Sequence, residues 1–278
     1  MPSPHPQPVL FTDLDGTLLD SATYSWEAAT PAMKRLEERA IPWILCTSKT
    51  RAELLPLRRD LGHRHPFIVE NGGAILIPED YFRVPYSADP PAEGFRRIRI
   101  GVPYPLLRAA LKQIAEETGI ALPGFGDMDA NEIARRTGLT PAEAGLAKTR
   151  EYDEPFLLQG NPRQQQAVLD RIASGGLQWT LGGRFYHLTG NNDKGRAVTL
   201  LSEIYRRQCG RIVTVGLGDS QNDLPMLAAV DRPILVQKPD GGYEDAIALP
   251  GLERADGIGP VGWNRAVLGL LKEFPISP

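Results

Sequence analysis

The sequence predicts an α/β protein built on a parallel sheet that helices cover on both faces. Three observations predict it: short apolar runs alternate with helical patterns near the N-terminus, the alternation returns near the C-terminus, and the stretch between them follows another order. Strands that alternate with helices form parallel sheets, because each helix carries the chain back across one face. At 278 residues, the chain is expected to form two units, or one unit with a large insertion.

The first elements alternate between strand and helix. The apolar run from Val9 to Thr12 stops at Asp13-Leu-Asp-Gly, which predicts a buried strand that opens into a loop. Thr30-Pro31 predicts a helix N-cap followed by a proline at the first helical position. Glu70-Asn-Gly-Gly predicts a turn with positive φ or a close approach to a ligand. The predicted elements are strands over residues 9–12, 41–46 and 67–69 and helices over residues 30–39 and 51–61.

The same alternation returns with a helix over residues 194–208, a strand over 211–215 and a further helix after Gly216-Leu-Gly-Asp-Ser. The two ends of the chain therefore predict one core domain, made of residues 1–82 and 189–278. Residues 83–188 predict an inserted α+β cap domain, because a Pro-rich entry leads into a different order of elements. Its predicted elements are helices over residues 106–118 and 162–173 and strands near 156 and over 184–188.

Composition and charge exclude several classes of function. A net charge of -3 and a pI near 5.9 disfavour nucleic acid, which binds to broad cationic surfaces. Cys46 and Cys209 are too few for a disulfide framework or a metal cluster. Apolar stretches long enough to span a bilayer are absent, and the N-terminus has no signal-peptide pattern. We therefore expect a cytoplasmic protein with neither a nucleic-acid nor a membrane partner.

Polar clusters follow three of the predicted strands, at the edge where open parallel sheets bind their ligands. The clusters are Asp13 with Asp15, Thr47 with Ser48, and Asp219 with Asn222 and Asp223. Sheet topology would bring all three to one rim, although they lie far apart in the chain. Carboxylates in one crevice repel one another unless a cation is present, and oxygen ligands suit Mg²⁺. We therefore expect a Mg²⁺ site at this rim.

A bound Mg²⁺ would let a carboxylate attack phosphorus, because the cation offsets the charge of the approaching phosphate. Lys194 and the Thr47 hydroxyl would then hold phosphate oxygens. Plainer interpretations exist for each residue alone: Asp-x-Asp-Gly is often only a turn, Asp219 and Asp223 can be turn or cap residues, and Lys194 can be solvated. Their joint occurrence, in this order and after these strands, is what indicates phosphoryl transfer.

These residues resemble the four motifs of the haloacid dehalogenase superfamily. Asp13-Leu-Asp-Gly-Thr resembles the first motif, Thr47 the second, Lys194 the third, and Gly218-Asp-Ser-Gln-Asn-Asp223 the fourth. The resemblance implies a Rossmann-like core, an aspartyl-phosphate on Asp13, and Asp15 as the acid for the leaving group and then the base for water. It also implies Mg²⁺ ligands from Asp13, the backbone carbonyl of Asp15, and Asp219, with Asn222 and Asp223 behind them.

The insertion between the second and third motifs resembles the type 2 (C2B-like) α/β cap of sugar-phosphate phosphatases, which selects the substrate. Several segments resemble the mannosyl-3-phosphoglycerate phosphatase family: Thr47-Ser-Lys-Thr, Glu70-Asn-Gly-Gly, Gly124-Phe-Gly-Asp-Met, Arg150-Glu-Tyr-Asp-Glu-Pro-Phe and Asn192-Asp-Lys-Gly. The resemblance implies hydrolysis of this phosphorylated glycosyl-glycerate to phosphate and mannosylglycerate, a compatible solute. The expected substrate-binding residues are Ser48, Lys49, Asn71, Gly72, Gly73, Arg150, Glu151 and His187.

Alternatives remain open at this stage. Lys49 and Arg150 can be solvated surface residues, and Glu151 or Glu154 can pair with the arginines of the cap at little gain in stability. The chain can also be a phosphatase of another sugar phosphate, a phosphomutase, or a non-catalytic protein that binds a phosphorylated metabolite. The residues do not choose between a mannosyl and a glucosyl substrate, and they do not give the oligomeric state.

Overall fold

The structure of the protein is a computed structural model that describes residues 6–182 and 185–274. Its strands are β1 (Gln7–Thr12), β2 (Trp43–Cys46), β3 (Phe67–Val69), β4 (Ala74–Pro78), β5 (Phe95–Arg99), β6 (Asp153–Phe156), β7 (Gln178–Gly182), β8 (Phe185–Thr189), β9 (Ile212–Gly218), β10 (Arg232–Gln237) and β11 (Glu253–Ile258). Its α-helices are α1 (Thr30–Glu38), α2 (Arg51–Asp60), α3 (Tyr104–Thr118), α4 (Ala130–Thr137), α5 (Pro141–Lys148), α6 (Pro162–Ser174), α7 (Lys194–Cys209), α8 (Leu224–Ala228) and α9 (Pro260–Glu273). Among these helices, none is both long and apolar enough to cross a membrane.

The strands form two sheets. The larger has eight strands in the order β11-β10-β9-β1-β2-β3-β4-β5, and its pairs are parallel except β3–β4 and β4–β5. The smaller has three antiparallel strands in the order β6-β8-β7. This architecture confirms the predicted α/β class, with a mostly parallel core sheet and a separate cap. Because β1 lies between β2 and β9, the loops after these three strands meet at one rim.

Strand β1 shows why the core sheet is covered on both faces. Its side chains alternate between the two faces, and Val9, Leu10 and Phe11 are all fully buried. Leu10 packs in a cluster that includes Trp263 of α9, whereas Val9 and Phe11 pack in a second cluster that includes Leu201 of α7. Burial on both faces explains the continuous apolar run in the sequence.

The start of α1 differs from the prediction. A 3₁₀ turn over Glu27–Ala29 leads directly into α1, so Ala29, not Thr30, is the N-cap, and it makes no side-chain capping bond. Pro31 lies in the first turn of the helix, but it is the second helical residue and not the first, which was the predicted position. The 3₁₀ turn already occupies the backbone groups before Thr30, so Thr30 has helical backbone angles that an N-cap residue does not adopt.

The entry to the cap also differs from the prediction. Residues 95–99 fall in the stretch assigned to the cap, yet β5 pairs with β4 at the edge of the core sheet. A start of the cap at residue 83 is therefore not supported by strand pairing, while the wider division of the chain stays a prediction. Helices α4 and α5 and strand β7 were not predicted. Arg184, where the sequence predicted the last cap strand to begin, lies outside the described residues.

Helices cover one face of the cap sheet, and they cover only part of the other face. On one face, Phe156 and Leu188 pack against α3 and α6. On the other face, Phe125 and Phe185 pack against the α4–α5 pair. Cross-strand neighbours point to the same face of a sheet, so Pro155 of β6 and Thr180 of β7 share the face of His187. That face lies against the rim of the core sheet.

Candidate active site

The loop after β1 fixes Asp13 at the rim. The Asp13 N–H donates to the carbonyl of Leu217 in β9 at 2.9 Å. The hydroxyl of Thr12 donates to the Asp13 carbonyl at 2.7 Å and accepts the indole N–H of Trp263 at 2.9 Å. The Asp13 side chain is nearly buried. A backbone contact from β9 and a side-chain contact from α9 therefore fix the backbone of Asp13 before any ligand binds.

Lys194 is a buried cation between two carboxylates. It is the first residue of α7, and its ammonium donates to Oδ1 of Asp13 and to Oδ1 of Asp223, both at 2.6 Å. Burial alone would lower the pKa of Lys194, but the charges of Asp13 and Asp223 outweigh it and raise that pKa. Lys194 is therefore charged at every ordinary pH. The described residues give Asp13 Oδ2 no hydrogen-bond donor, so that oxygen is available to a substrate.

The loop after β9 completes the acidic cluster. Asp223 Oδ2 accepts the backbone N–H groups of Asp219 at 3.0 Å and Ser220 at 3.1 Å. Thr17 donates its hydroxyl to Asp219 Oδ1 at 3.0 Å. Burial, and then the charge of Asp223, raise the pKa of Asp13 above its usual range and that of Asp219 to about 6. The cluster is therefore short of positive charge.

The geometry of this cluster fits a cation bound through oxygen. Ligand oxygens of Asp13, Asp219 and Asp223 lie within 4.8 Å of one another. Both oxygens of Asp223 already accept hydrogen bonds, whereas Asp219 Oδ2 has no donor among the described residues and Asp13 Oδ1 accepts a bond only from Lys194. A cation at this place would be bound by Asp13 and Asp219, with Asp223 behind them. The same side chains were predicted for the Mg²⁺ site, with Asp13 and Asp219 as ligands and Asp223 behind them.

Asp15 and Lys49 form an ion pair at the edge of the site. Lys49 Nζ lies 2.9 Å from Asp15 Oδ2, and the buried Asp15 Oδ1 has no hydrogen-bond partner within the described ranges of the chain. Burial alone would lower the pKa of Lys49, but the charges of Asp15 and Glu53 raise it. Lys49 was predicted to contact substrate. In this conformation its charge is directed to Asp15 instead.

Thr47 and Ser48 follow β2. Thr47 is fully buried, and its hydroxyl oxygen accepts the Lys49 N–H at 3.2 Å, which leaves the hydroxyl hydrogen free to donate to a phosphate oxygen. The Ser48 carbonyl accepts a bond from Arg150 at 3.0 Å, and Ser48 itself lines the cavity described next.

A cavity of about 290 Å³ separates the rim of the core from the open face of the cap sheet. The core supplies its acidic floor with Asp13 and Asp15, and the cap supplies Thr180 and His187. The lining residues are Asp13, Asp15, Ser48, Asn71, Thr180, Leu181, His187, Ser220, Gln221, Asn222 and Glu244. Thr180, Gln221 and Glu244 were not predicted as site residues. Gln221 lies within the segment that resembles the fourth motif, whereas no motif in the sequence marks Thr180 or Glu244.

The Glu70–Gly73 turn serves the join between core and cap. Glu70 and Asn71 have positive φ, as does Gly72. A side chain on Gly72 would meet the carbonyl oxygen of Asp193 at 2.1 Å, which explains the glycine. The N–H of Gly73 donates to the carbonyls of Val69 and Glu70. That N–H is already used inside the turn, so the predicted binding of substrate by the Gly73 amide has no support in the structure and stays a prediction.

Glu70 itself is fully buried and ties this turn to the cap. Its carboxylate accepts the backbone N–H groups of Glu151, at 2.9 and 3.1 Å, and of Tyr152, at 2.7 Å. Burial is the main cause that raises the pKa of Glu70 to about 7. A buried carboxyl group of the core therefore binds the segment of the cap that leads into β6.

Arg150 and His187 meet at a buried aspartate of the cap that was not predicted as a site residue. Asp153 Oδ2 lies 2.8 Å from His187 Nδ1 and 3.4 Å from Arg150 Nη1. Asp153 was nevertheless part of the segment from Arg150 to Phe156 that carried the family resemblance. The structure thus brings Arg150 and His187 together, but only His187 of this group lines the cavity.

Glu151 lies away from the cavity. Its two carboxylate oxygens contact Arg51 Nε at 2.9 Å and Arg97 Nη1 at 2.6 Å, both on core elements. The structure gives no support to its predicted role in substrate binding, which stays a prediction. The carboxylate joins cap to core by ion pairs, because the arginines of α2 and β5 lie nearer to it than the cavity does.

Comparisons with known proteins agree with this geometry. The family model of haloacid dehalogenase-like hydrolases matches residues 10–89. A glucosyl-3-phosphoglycerate/mannosyl-3-phosphoglycerate phosphatase of Methanococcoides burtonii is 50% identical over 263 residues, which are 95% of this chain and 97% of the relative. A phosphatase of the same description from Persephonella marina is 40% identical over 269 residues, 96% of this chain and 98% of that one.

Solved structures show the same fold. A phosphatase of the haloalkanoate dehalogenase superfamily from Bacteroides thetaiotaomicron superposes with a TM-score of 0.67 at 18% sequence identity. The match covers 97% of this chain and 96% of that chain. The likeness therefore extends over both the core and the cap.

Proposed function

This chain belongs to the haloacid dehalogenase-like hydrolases, and from that premise we propose that it hydrolyses the phosphate ester of mannosyl-3-phosphoglycerate or glucosyl-3-phosphoglycerate. The two relatives named for these substrates align with the cap as well as the core. In this architecture the cap lines the cavity beside the reacting groups, so identity along the cap supports a shared substrate class.

One observation carries the proposal: Asp13 opens onto the cavity while Lys194 holds its other oxygen. Lys194 fixes Oδ1, so we assign the attack on phosphorus to Oδ2. Attack breaks the bond between phosphorus and the glycerate oxygen and leaves the phosphoryl group on Asp13. The buried ammonium and the Thr47 hydroxyl would stabilise the charge that develops on the phosphoryl oxygens.

Asp15 is proposed to move the protons. It would donate one to the departing glycerate oxygen, then remove one from the water that attacks the aspartyl-phosphate and restores Asp13. Lys49 contacts Oδ2 of Asp15, whereas the buried Oδ1 has no partner among the residues described and is able to carry the proton. Lys49 is thereby proposed to orient Asp15 and not to bind substrate.

Mg²⁺ is the proposed cofactor. Bound through Asp13, Asp219 and the backbone carbonyl of Asp15, it would supply the positive charge that keeps the buried carboxylates ionised and offsets the charge of the phosphate. The raised pKa values of Asp13 and Asp219 support this assignment, because both carboxylates lie in a cluster short of cations. The proposed ligand atoms are all oxygens, which favours Mg²⁺ over zinc.

Phosphate release from a panel of phosphate esters tests the proposal. The panel contains mannosyl-3-phosphoglycerate, glucosyl-3-phosphoglycerate, 3-phosphoglycerate and hexose phosphates, each with and without Mg²⁺. We expect the two glycosyl-3-phosphoglycerates to have the highest kcat/KM and chelation to abolish release. Preference for a hexose phosphate would contradict the proposed substrate class. Transfer of the phosphoryl group to another hydroxyl, seen by product analysis, would indicate a phosphomutase instead.

A further inference from the structure

The cavity must accept an anionic substrate, yet the cations around it are mostly paired with carboxylates already. These pairs are Lys194 with Asp13 and Asp223, Lys49 with Asp15, and Lys238 with Glu244. Among the described residues that line the cavity, His187 is the one whose side chain can carry a positive charge. A second anionic group on the substrate, away from the phosphate, therefore has His187 as its cationic partner.

The orientation of His187 is fixed by Asp153. Nδ1 of the ring lies 2.8 Å from Oδ2 and 3.1 Å from Oδ1 of this fully buried carboxylate. An ionised carboxylate only accepts hydrogen bonds, so Nδ1 must carry the hydrogen. Nε2 has no hydrogen-bond partner in the described part of the chain, and the ring lines the cavity.

Asp153 also connects His187 to the loops of the core. Arg150 contacts Asp153 and donates to the carbonyl of Ser48 at 3.0 Å. The Asn71 side chain bonds to Asp153 and accepts a bond from Asn222 at 3.3 Å. Burial alone would raise the pKa of Asp153, but the charges of His187 and Arg150 and the bonds to its neighbours hold that pKa below its usual range. Asp153 therefore remains an anion between the two loops.

We infer that Asp153 is a positioning residue that holds His187 with Nε2 toward the cavity, where the imidazolium binds the carboxylate of the phosphoglycerate. This inference rests on the proposed function. Glucosyl- and mannosyl-3-phosphoglycerate share the carboxylate and differ only in the sugar. His187 therefore binds the carboxylate that both substrates have in common, and this contact does not discriminate between the two sugars.

A pair of small esters isolates this contact. 3-Phosphoglycerate and glycerol 3-phosphate have the same carbon skeleton and differ in whether a carboxylate or a hydroxymethyl group is present. The preference for the first over the second is measured in the Mg²⁺-loaded wild-type protein as a ratio of kcat/KM. Where phosphate release from a small ester is too slow to follow, the ester is tested as an inhibitor of mannosyl-3-phosphoglycerate hydrolysis. If mannosyl-3-phosphoglycerate is not hydrolysed, the best ester of the panel replaces it. The ratio of the inhibition constants of the two small esters then measures the preference.

The variants are His187→Gln, Asp153→Asn and Glu154→Gln. His187→Gln keeps a polar side chain at the cavity but cannot carry charge, and we expect it to lower the preference at least about tenfold, mainly through KM. Asp153→Asn should lower it in the same direction. Glu154→Gln is the matched control, because this buried carboxylate on the same strand pairs with Arg108 instead. It should keep the ratio even if it lowers the melting temperature.

Other outcomes separate this inference from the proposed function. If His187→Gln lowers kcat equally for both esters, His187 acts in the chemistry and the carboxylate subsite is wrong. An unchanged ratio in a folded His187→Gln variant overturns it as well, whether or not Asp153→Asn folds. If wild-type protein ignores glycosyl-3-phosphoglycerates yet shows a His187-dependent preference for 3-phosphoglycerate, the proposed substrate fails while the subsite stands.

Discussion

Two buried cations, Lys194 in the core and Arg150 in the cap, differ in how completely their partners satisfy them. Lys194 is fully buried and pairs with two carboxylates of its own domain, both at 2.6 Å. Arg150 bridges the core carbonyl of Ser48 and the cap carboxylate of Asp153, and its buried Nε has no partner in the part of the chain that the structure describes. The core half of the site is thus complete in itself, whereas the cap half joins two bodies and leaves His187 facing the cavity. Chemistry is assigned to the first half and recognition to the second.

The largest expected effect separates the two halves by removing the nucleophile. Asp13→Asn keeps the size of the side chain and can still accept a bond from Lys194, so we expect a folded protein. Turnover should fall about a thousandfold or more, because an amide cannot form the aspartyl-phosphate. Phosphate release and thermal unfolding measured together check this. Wild-type turnover in the variant would contradict the assignment of Asp13.

Replacing Lys194 by Met should disturb both activity and stability. The change leaves Asp13 and Asp223 as buried carboxylates without their shared cation, a situation that destabilises proteins by about 3–5 kcal/mol. We expect kcat to fall about a hundredfold or more, since the charge that stabilises the phosphoryl oxygens is lost. Urea unfolding, with and without Mg²⁺, measures the stability. A variant as stable and as active as wild type would show that Lys194 is not essential to the cluster.

Arg150→Met tests the cap half by the same kind of change. Asp153 would keep His187 and Asn71 but lose the link to Ser48, so we expect KM for the glycosyl-3-phosphoglycerate to rise about tenfold while kcat changes less. Arg51→Met is the control: it removes a partly exposed cation that also bridges core and cap, through Glu151. Arg51→Met should change KM little. If both variants raise KM equally, Arg150 contributes only as one of several contacts between core and cap.

Lys49→Met tests whether the cation beside Asp15 orients that residue or binds substrate. An orienting role predicts that kcat falls several-fold to about tenfold, with KM nearly constant, because an ion pair of this exposure is of modest strength. Steady-state kinetics on one glycosyl-3-phosphoglycerate measures both constants. A rise in KM alone would return Lys49 to the substrate-binding role first predicted for it.

The smallest expected effect concerns Glu70, the buried core residue that binds the cap backbone at Glu151 and Tyr152. Its pKa in the folded protein is about 7, above the ordinary value of 4.5, so folding favours its protonated form. That contribution to stability is complete below the unfolded pKa and is lost as pH rises through about 7. Relative to Glu70→Gln, wild-type protein should therefore lose melting temperature between acidic and mildly alkaline pH. A difference between the two proteins that is constant with pH would contradict the raised pKa.

The core could be predicted from the sequence because three of the four motifs each follow their own strand of the core sheet. Asp13, Thr47 and Asp219 lie at strand ends, and parallel pairing of β2, β1 and β9 brings strand ends to one rim. The same reasoning could not predict which residues of the cap meet. Asp153 and His187 meet only because β6 pairs with β8 in an antiparallel register, and no local pattern fixes that register.

Single residues show where local patterns mislead. Glu151 reads as a polar residue beside Arg150, but its carboxylate turns to Arg51 and Arg97 of the core. Gly73 reads as a free amide in a glycine pair, but its N–H is used within the turn. Glu244 and Thr180 line the cavity only because distant segments pack beside it. Contacts between domains decide these roles, and short segments do not contain them.

The division between a chemical half and a recognition half is tested most directly by trapping the phosphorylated enzyme. Wild-type protein is mixed with mannosyl-3-phosphoglycerate and Mg²⁺, quenched in acid within its first turnover, and digested for mass spectrometry. We predict one phosphoryl group on the peptide that contains Asp13, in wild type and in His187→Gln supplied with saturating substrate. No phosphoryl group on Asp13 in either protein, despite release of phosphate, would contradict the account.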